Sequence, residues 1–268
     1  MNESSLASRS PHGAGTPRLL GGLAGAWRSL RFSALLLVMV ASPATYTLEN
    51  RRRLATQICL TCKQTVPVFT LLSALLSLVL VHIVVVTAQS YGLSQFALGT
   101  VVRVLVVELL PLAAALFVAL RAGAAMNAEI ATLRRTQPGA PRRVIESALI
   151  YRVVLPRVAG SGVAVVLLAA ISGGLALLLA YLGVYGFTPW GIANFTRTVG
   201  QVFAPGVLMA LGLKTLLFAS AVATVPASAG LENPRRDPGE SVTVLHGTVR
   251  LFAVLIGIEI LSLTAEFF

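Results

Sequence analysis

Residues 98–121 read LGTVVRVLVVELLPLAAALFVALR. The run is apolar save for Arg103, Glu108 and the closing Arg121, and it has about the 20-residue length that crosses a bilayer. Glu108 falls near its middle. A charge at the centre of a membrane span costs roughly 2.5–3.5 kcal/mol on insertion scales, so it normally faces a partner or a wet cavity. Lys214 and Glu259 each lie near the middle of a further apolar stretch. Two acids and one base on three spans can satisfy one another. The expected fold is an all-α membrane bundle around a mid-depth ionic cluster.

The composition agrees. Of the 268 residues 56% are hydrophobic and 12% charged. A soluble domain carries about 25% charged residues. The mean hydropathy is +0.83. The net charge of +11 is gathered in the N-terminal tail and certain loops, as the positive-inside rule expects. That distribution argues against a nucleic-acid partner.

Residues 1–26 are rich in Ser, Gly, Pro and Arg, and read as a disordered cytoplasmic tail. Residues 27–65 read as interfacial and connecting helices. They open on Trp27 and Arg28, with the run Ala34 to Ala41 too short to span. A signal peptide ending near Ala41-Ser42-Pro43-Ala44 is the rival reading, disfavoured by the long polar region before it. From 66 to 268 the pattern gives five spans, at about Val66–Ser90, Leu98–Leu120, Val158–Leu182, Thr198–Val222 and Leu251–Phe267. Gly160, Gly162, Gly173 and Gly174 on the third would admit a neighbouring helix closely. Tyr185, Phe187 and Trp190 fall at headgroup level. The tail and the 121–157 and 229–249 segments are charged, while the 91–97 and 183–196 turns are not. The N-terminus is therefore expected in the cytoplasm and the C-terminus outside.

Few other groups could carry chemistry. The chain has no G-x-x-x-x-G-K-[ST], no H-E-x-x-H and no G-x-S-x-G. Any ATP-derived energy would have to come from another chain. Cys59 and Cys62 form a lone C-x-x-C, with His12, His82 and His246 scattered, so no metal site is expected. The two cysteines read as small residues near a helix start, and His82 as a packing residue with a backbone partner. Arg103 and Arg197, near the outer ends of the second and fourth spans, either anchor at the interface or contact a lipid phosphate. Glu108, Lys214 and Glu259 either fix helix packing alone or line and gate a substrate cavity. The stretch 121–134, RAGAAMNAEIATLR, is an amphipathic helix that either docks a partner or lies on the membrane surface.

These residues resemble the MlaE/YrbE permease family, membrane subunits of ABC systems that move lipids between bacterial membranes. The likeness rests on Glu108-Leu109-Leu110-Pro111 through Ala113-Ala114 to Arg121-Ala122-Gly123 and Ala128-Glu129-Ile130, which is similar to an E-L-G-P…A-A-L…G-R-x-G…A-E-I/L-G block. Val154-Leu155-Pro156-Arg157 resembles the V-x-P-R entry to the third span, and Pro226 to Gly230 a small-residue turn. Glu108, Lys214 and Glu259 match charged positions of the family.

The resemblance implies a homodimeric permease in the bacterial inner membrane, with a phospholipid cavity between the copies. Glu108, Lys214, Glu259, Arg103 and Arg197 are then the cavity and coupling residues. Arg121, Gly123, Asn127, Glu129, Thr132 and Arg134 would dock a separate ABC ATPase, which would hold the ATP and Mg; no cofactor is expected on this chain. A periplasmic MCE-domain protein and a STAS-domain protein are the further partners implied. The chain departs from the family at Arg135 to Arg143, where a basic, proline-broken run replaces an acidic helix, and at Glu232 to Pro238. An uncoupled scaffold subunit is therefore the alternative, and a lipid-modifying membrane enzyme a more distant one.

Overall fold

The computed structural model describes residues 48–121, 155–232 and 240–267, with the isolated positions Arg31 and Val38. Every regular element among them is helical. Helix α1 spans Leu48–Ser90. Helix α2, Ser94–Val101, passes into a π-helical stretch, Val102–Leu109, and then into α3, residues 110–121. Helix α4 is Leu155–Tyr185, and a 3-10 turn at Pro189–Gly191 leads into α5, Ile192–Val202. Helices α6, Pro205–Glu232, and α7, Glu240–Phe267, complete the chain.

Five segments are long and apolar enough to cross a membrane: Ile58–Ser90, Phe96–Arg121, Leu155–Tyr185, Pro205–Pro226 and Thr248–Ala265. The five expected spans are present; most limits move by three residues or fewer, and two starts move by more. The first does not start at Val66. Helix α1 runs 43 residues without a break through Lys63 and Pro67. Pro67 removes one helical donor, a loss that membrane helices absorb through neighbouring contacts. Cys59 and Cys62 consequently lie about three turns inside the helix, at the start of its apolar span. Both are free thiols, Cys62 resting against the core. The fourth span does not begin at Thr198. Phe203 leaves the helical region at φ −86° and ψ 45°. Pro205, with φ preset by its ring, then starts a new helix. Arg197 therefore stands on the separate helix α5.

Packing follows a four-residue rhythm. Thr65, Phe69, Ser73, Ser77, Val81 and Val85 are the buried face of α1. Pro156, Gly160, Ala164, Leu168, Ser172, Ala176 and Ala180 are the matching buried row of α4. Rows four apart interlock as ridges and grooves, and small residues let the backbones approach where lipid offers no hydrophobic drive. The two helices run the same way: Phe69 clusters with Ala164, Val165 and Leu168, while Val81 and Val85 cluster with Ala176 and Ala180. Hydroxyls on these faces mostly turn back to their own helix, as Ser172 does to the Leu168 carbonyl at 2.6 Å.

Not every expected glycine contact forms. A Cβ on Gly173 would meet Val106 Cγ1 at 3.3 Å, whereas Gly174 has nothing within 4 Å. At the Tyr185 end, Gly186 takes φ +66° and lets the chain leave α4 abruptly. Thr188 fixes that turn by donating to the Tyr185 carbonyl at 2.8 Å. Phe187 and Trp190 then project fully, 94% and 92% exposed. Tyr185 turns inward against Tyr181 instead. Helix α7 packs on α6, with Leu251 and Leu255 reaching the shared apolar cluster; 11% of its span is buried, leaving Ile256, Ile260 and Leu261 uncovered.

Candidate functional site

The apolar interior forms two clusters along the bundle. One holds Leu105, Leu110, Val81 and Ala176, the other Ala114, Ala164, Phe218 and Leu255. Glu108 is carried between them by the π-helical stretch. Lys214 arrives on α6, one turn before Phe218, and Glu259 on α7, one turn after Leu255.

The three side chains meet. Lys214 Nζ is ion-paired to Glu108 Oε2 and donates to Glu259 Oε1 at 2.9 Å. The lysine side chain is only 2% exposed, against 17% for Glu108 and 15% for Glu259. The cation is thus sealed in, while both acids keep an edge toward the open side. The Phe218 ring lies 6.0 Å from Nζ, at the limit of a favourable cation–π distance. The other carboxylate oxygens, Glu108 Oε1 and Glu259 Oε2, are buried without a hydrogen-bond partner among the described residues. Such a cluster survives in low dielectric only while its members pair: removing one strands another.

The structure thus brings together the three mid-span charges expected from sequence. Arg103 is exposed on the π-helical stretch, five positions before Glu108. Arg197 is exposed on α5, and no contact joins it to the cluster among the described residues. Arg121 closes the second span and donates from Nη2 to Gln64 Oε1 at 3.3 Å, tying it to α1. Gly123, Asn127, Glu129, Thr132 and Arg134 lie outside the described residues, as do most of the expected interfacial helix and the basic 135–143 run. His82 is exposed on α1 rather than packed. No group of His, Cys, Asp and Glu that could hold a metal occurs among the described residues.

Sequence reasoning missed Phe218, the π register and the buried Ser77 hydroxyl, which lacks a partner among the described residues. The four-residue spacing of Lys214 and Phe218 could have flagged the ring.

The described residues form a multi-helix bundle of five candidate membrane spans, three of which contribute to one salt-bridged cluster. The family model for the MlaE permease matches residues 54–264, and the chain belongs to that family. It is accordingly a multi-pass transport subunit of the lipid ABC-transporter type. No curated protein matches the chain closely enough to add a relative to that assignment.

Proposed function

We propose that two copies of this chain enclose a phospholipid in a cavity between them and pass it on under the drive of a separate ABC ATPase. The observation that carries this reading is the ionic cluster. Its cation is sealed and paired to both acids, while the acids, on the second and fifth spans, each keep one oxygen without a hydrogen-bond partner among the described residues. A cluster needed only for packing would be expected to close all of its bonds. One with unpaired oxygens on two different helices can exchange partners when those helices shift. In this reading ATPase closure pushes the 121–134 segment, the spans rock, and Lys214 changes its pairing between Glu108 and Glu259.

The uncovered face of α7 gives a second copy or lipid an apolar surface to meet. In this reading the N-terminus is cytoplasmic and the C-terminus periplasmic in a bacterial inner membrane, a topology supported by the basic tail and loops under the positive-inside rule. A periplasmic MCE-domain protein and a STAS-domain protein complete the proposed assembly. The basic run Arg135 to Arg143 favours a second reading, an uncoupled scaffold subunit.

The test is capture of the chain from its native membrane, with mass spectrometry of bound proteins and lipids. An ATPase, an MCE-domain protein and stoichiometric phospholipid are expected. Recovery without an ATPase would remove the coupled-transport reading and favour the scaffold.

A further inference from the structure

In the stretch Val102–Leu109 the helix is wound one residue wider than usual, the Leu110 amide bonding to the Leu105 carbonyl five positions back. Helical stretches of this type are rare and recur at functional sites. Arg103 and Glu108 both lie inside it, five positions apart. At 3.6 residues per turn, that spacing would carry Arg103 about 140° round a regular helix from Glu108. An i→i+5 register instead stacks positions five apart on successive turns.

Two further observations bear on this pair. Two carboxyl groups, those of Glu108 and Glu259, share the one ammonium of Lys214, and one oxygen of each acid has no hydrogen-bond partner among the described residues. The opposing wall also accommodates the wider turn. Gly173 on α4 presents bare backbone to Val106, where a Cβ would come within 3.3 Å of Cγ1.

We infer that Arg103 is the fourth member of the ionic cluster, and that the π-helical register is what delivers it to Glu108. With Arg103 the cluster holds two acids and two bases. Lys214 is its buried, fixed cation and Arg103 its exposed one. Arg103 is a positioning residue that steadies the Glu108 carboxylate from the open side while Lys214 holds it from within. This inference stands on the geometry of the single chain and does not depend on lipid transport.

The test is a double-mutant cycle on the full-length chain in lipid nanodiscs, read by thermal unfolding. Arg103→Gln is expected to lower Tm by several degrees with Glu108 present, and to leave it unchanged or raise it in a Glu108→Gln background. Equal losses in both backgrounds, or no loss in either, would show Arg103 to be an interfacial anchor and overturn the inference. A second measurement needs no variant. Solid-state NMR on the unmutated chain, labelled by semisynthesis at the Leu105 carbonyl carbon and the nitrogens of Leu109 and Leu110, should give the strongest dipolar coupling from Leu105 to Leu110. A strongest coupling to Leu109 would mean an ordinary α register and would equally overturn it.

Discussion

Lys214 and Glu259 are joined by a 2.9 Å bond from Nζ to Oε1, and that bond is a polar tie between α6 and α7 near the middle of their spans. Helix α7 is the least buried span and packs chiefly on α6. Its seating therefore depends on this pair as well as on Leu251 and Leu255, the buried apolar residues of its inner face.

Replacing the shared cation tests the cluster most directly. Lys214→Met strands two carboxylates in low dielectric. Breaking a buried pair in this way typically costs about 3–5 kcal/mol. The expected outcome is a lowered Tm and loss of lipid transfer in a reconstituted complex. Full transfer by a folded, ATPase-coupled variant would remove the cluster from the mechanism.

Removing one acid should be milder. Glu259→Gln keeps the shape and a hydrogen-bond acceptor for Nζ, and leaves Lys214 paired with Glu108. Its loss of stability should be clearly smaller than that of Lys214→Met, as chemical denaturation of the two variants side by side would show.

Phe218 is fully buried and lies beneath the ammonium. Phe218→Ala should cost about 3–5 kcal/mol through the cavity it leaves. Phe218→Leu should restore most of the packing but not the ring. A residual deficit of about 0.5–1 kcal/mol in the leucine variant would be the cation–π share. No deficit would mean that the contact between ring and ammonium adds nothing measurable.

Gly173 faces Val106 across the second and third spans. Gly173→Leu should destabilise by about 1–3 kcal/mol through overpacking. Val106→Ala should recover part of that loss in the double variant. Additive losses would show that the clash lies elsewhere.

Trp190 projects from the turn that follows α4. In a Trp27→Phe background its fluorescence should be quenched by lipids brominated near the headgroup and little by lipids brominated near the chain end. The reverse order would place the turn at a different depth.

The spans were legible because length and hydropathy are properties of the chain itself. The triad was legible because a charge amid hydrocarbon needs a partner, and only three such charges lie near mid-span. The π register was not legible. Val102 to Leu109 is almost wholly apolar, so its pattern looks the same whether amides bond four or five residues back. What distinguishes the registers is the wall opposite, including Gly173, which is distant in sequence. The long reach of α1 was hidden for a different reason. Lys63 and Pro67 resemble a boundary, yet an exposed lysine can extend its head toward water and one proline does not end a well-packed membrane helix. The start of the fourth span was misplaced because the apolar residues of α5 continue smoothly into α6, and only Pro205 marks the break.

Helix α1 has 43 residues, about 65 Å at 1.5 Å per residue, roughly twice the hydrocarbon thickness of a bilayer. Its contact with the end of the second span, Arg121 on Gln64, falls three residues from Pro67, the one proline in the rod. Leu48 lies about 24 Å from that point along the axis, so a bend of about 10° there would sweep the triple-arginine end through about 4 Å. The length of helix α1 beyond Gln64 thus gives any bend there a long arm. A small rotation of the second span at Arg121 would be read out, magnified, at the far tip of the first.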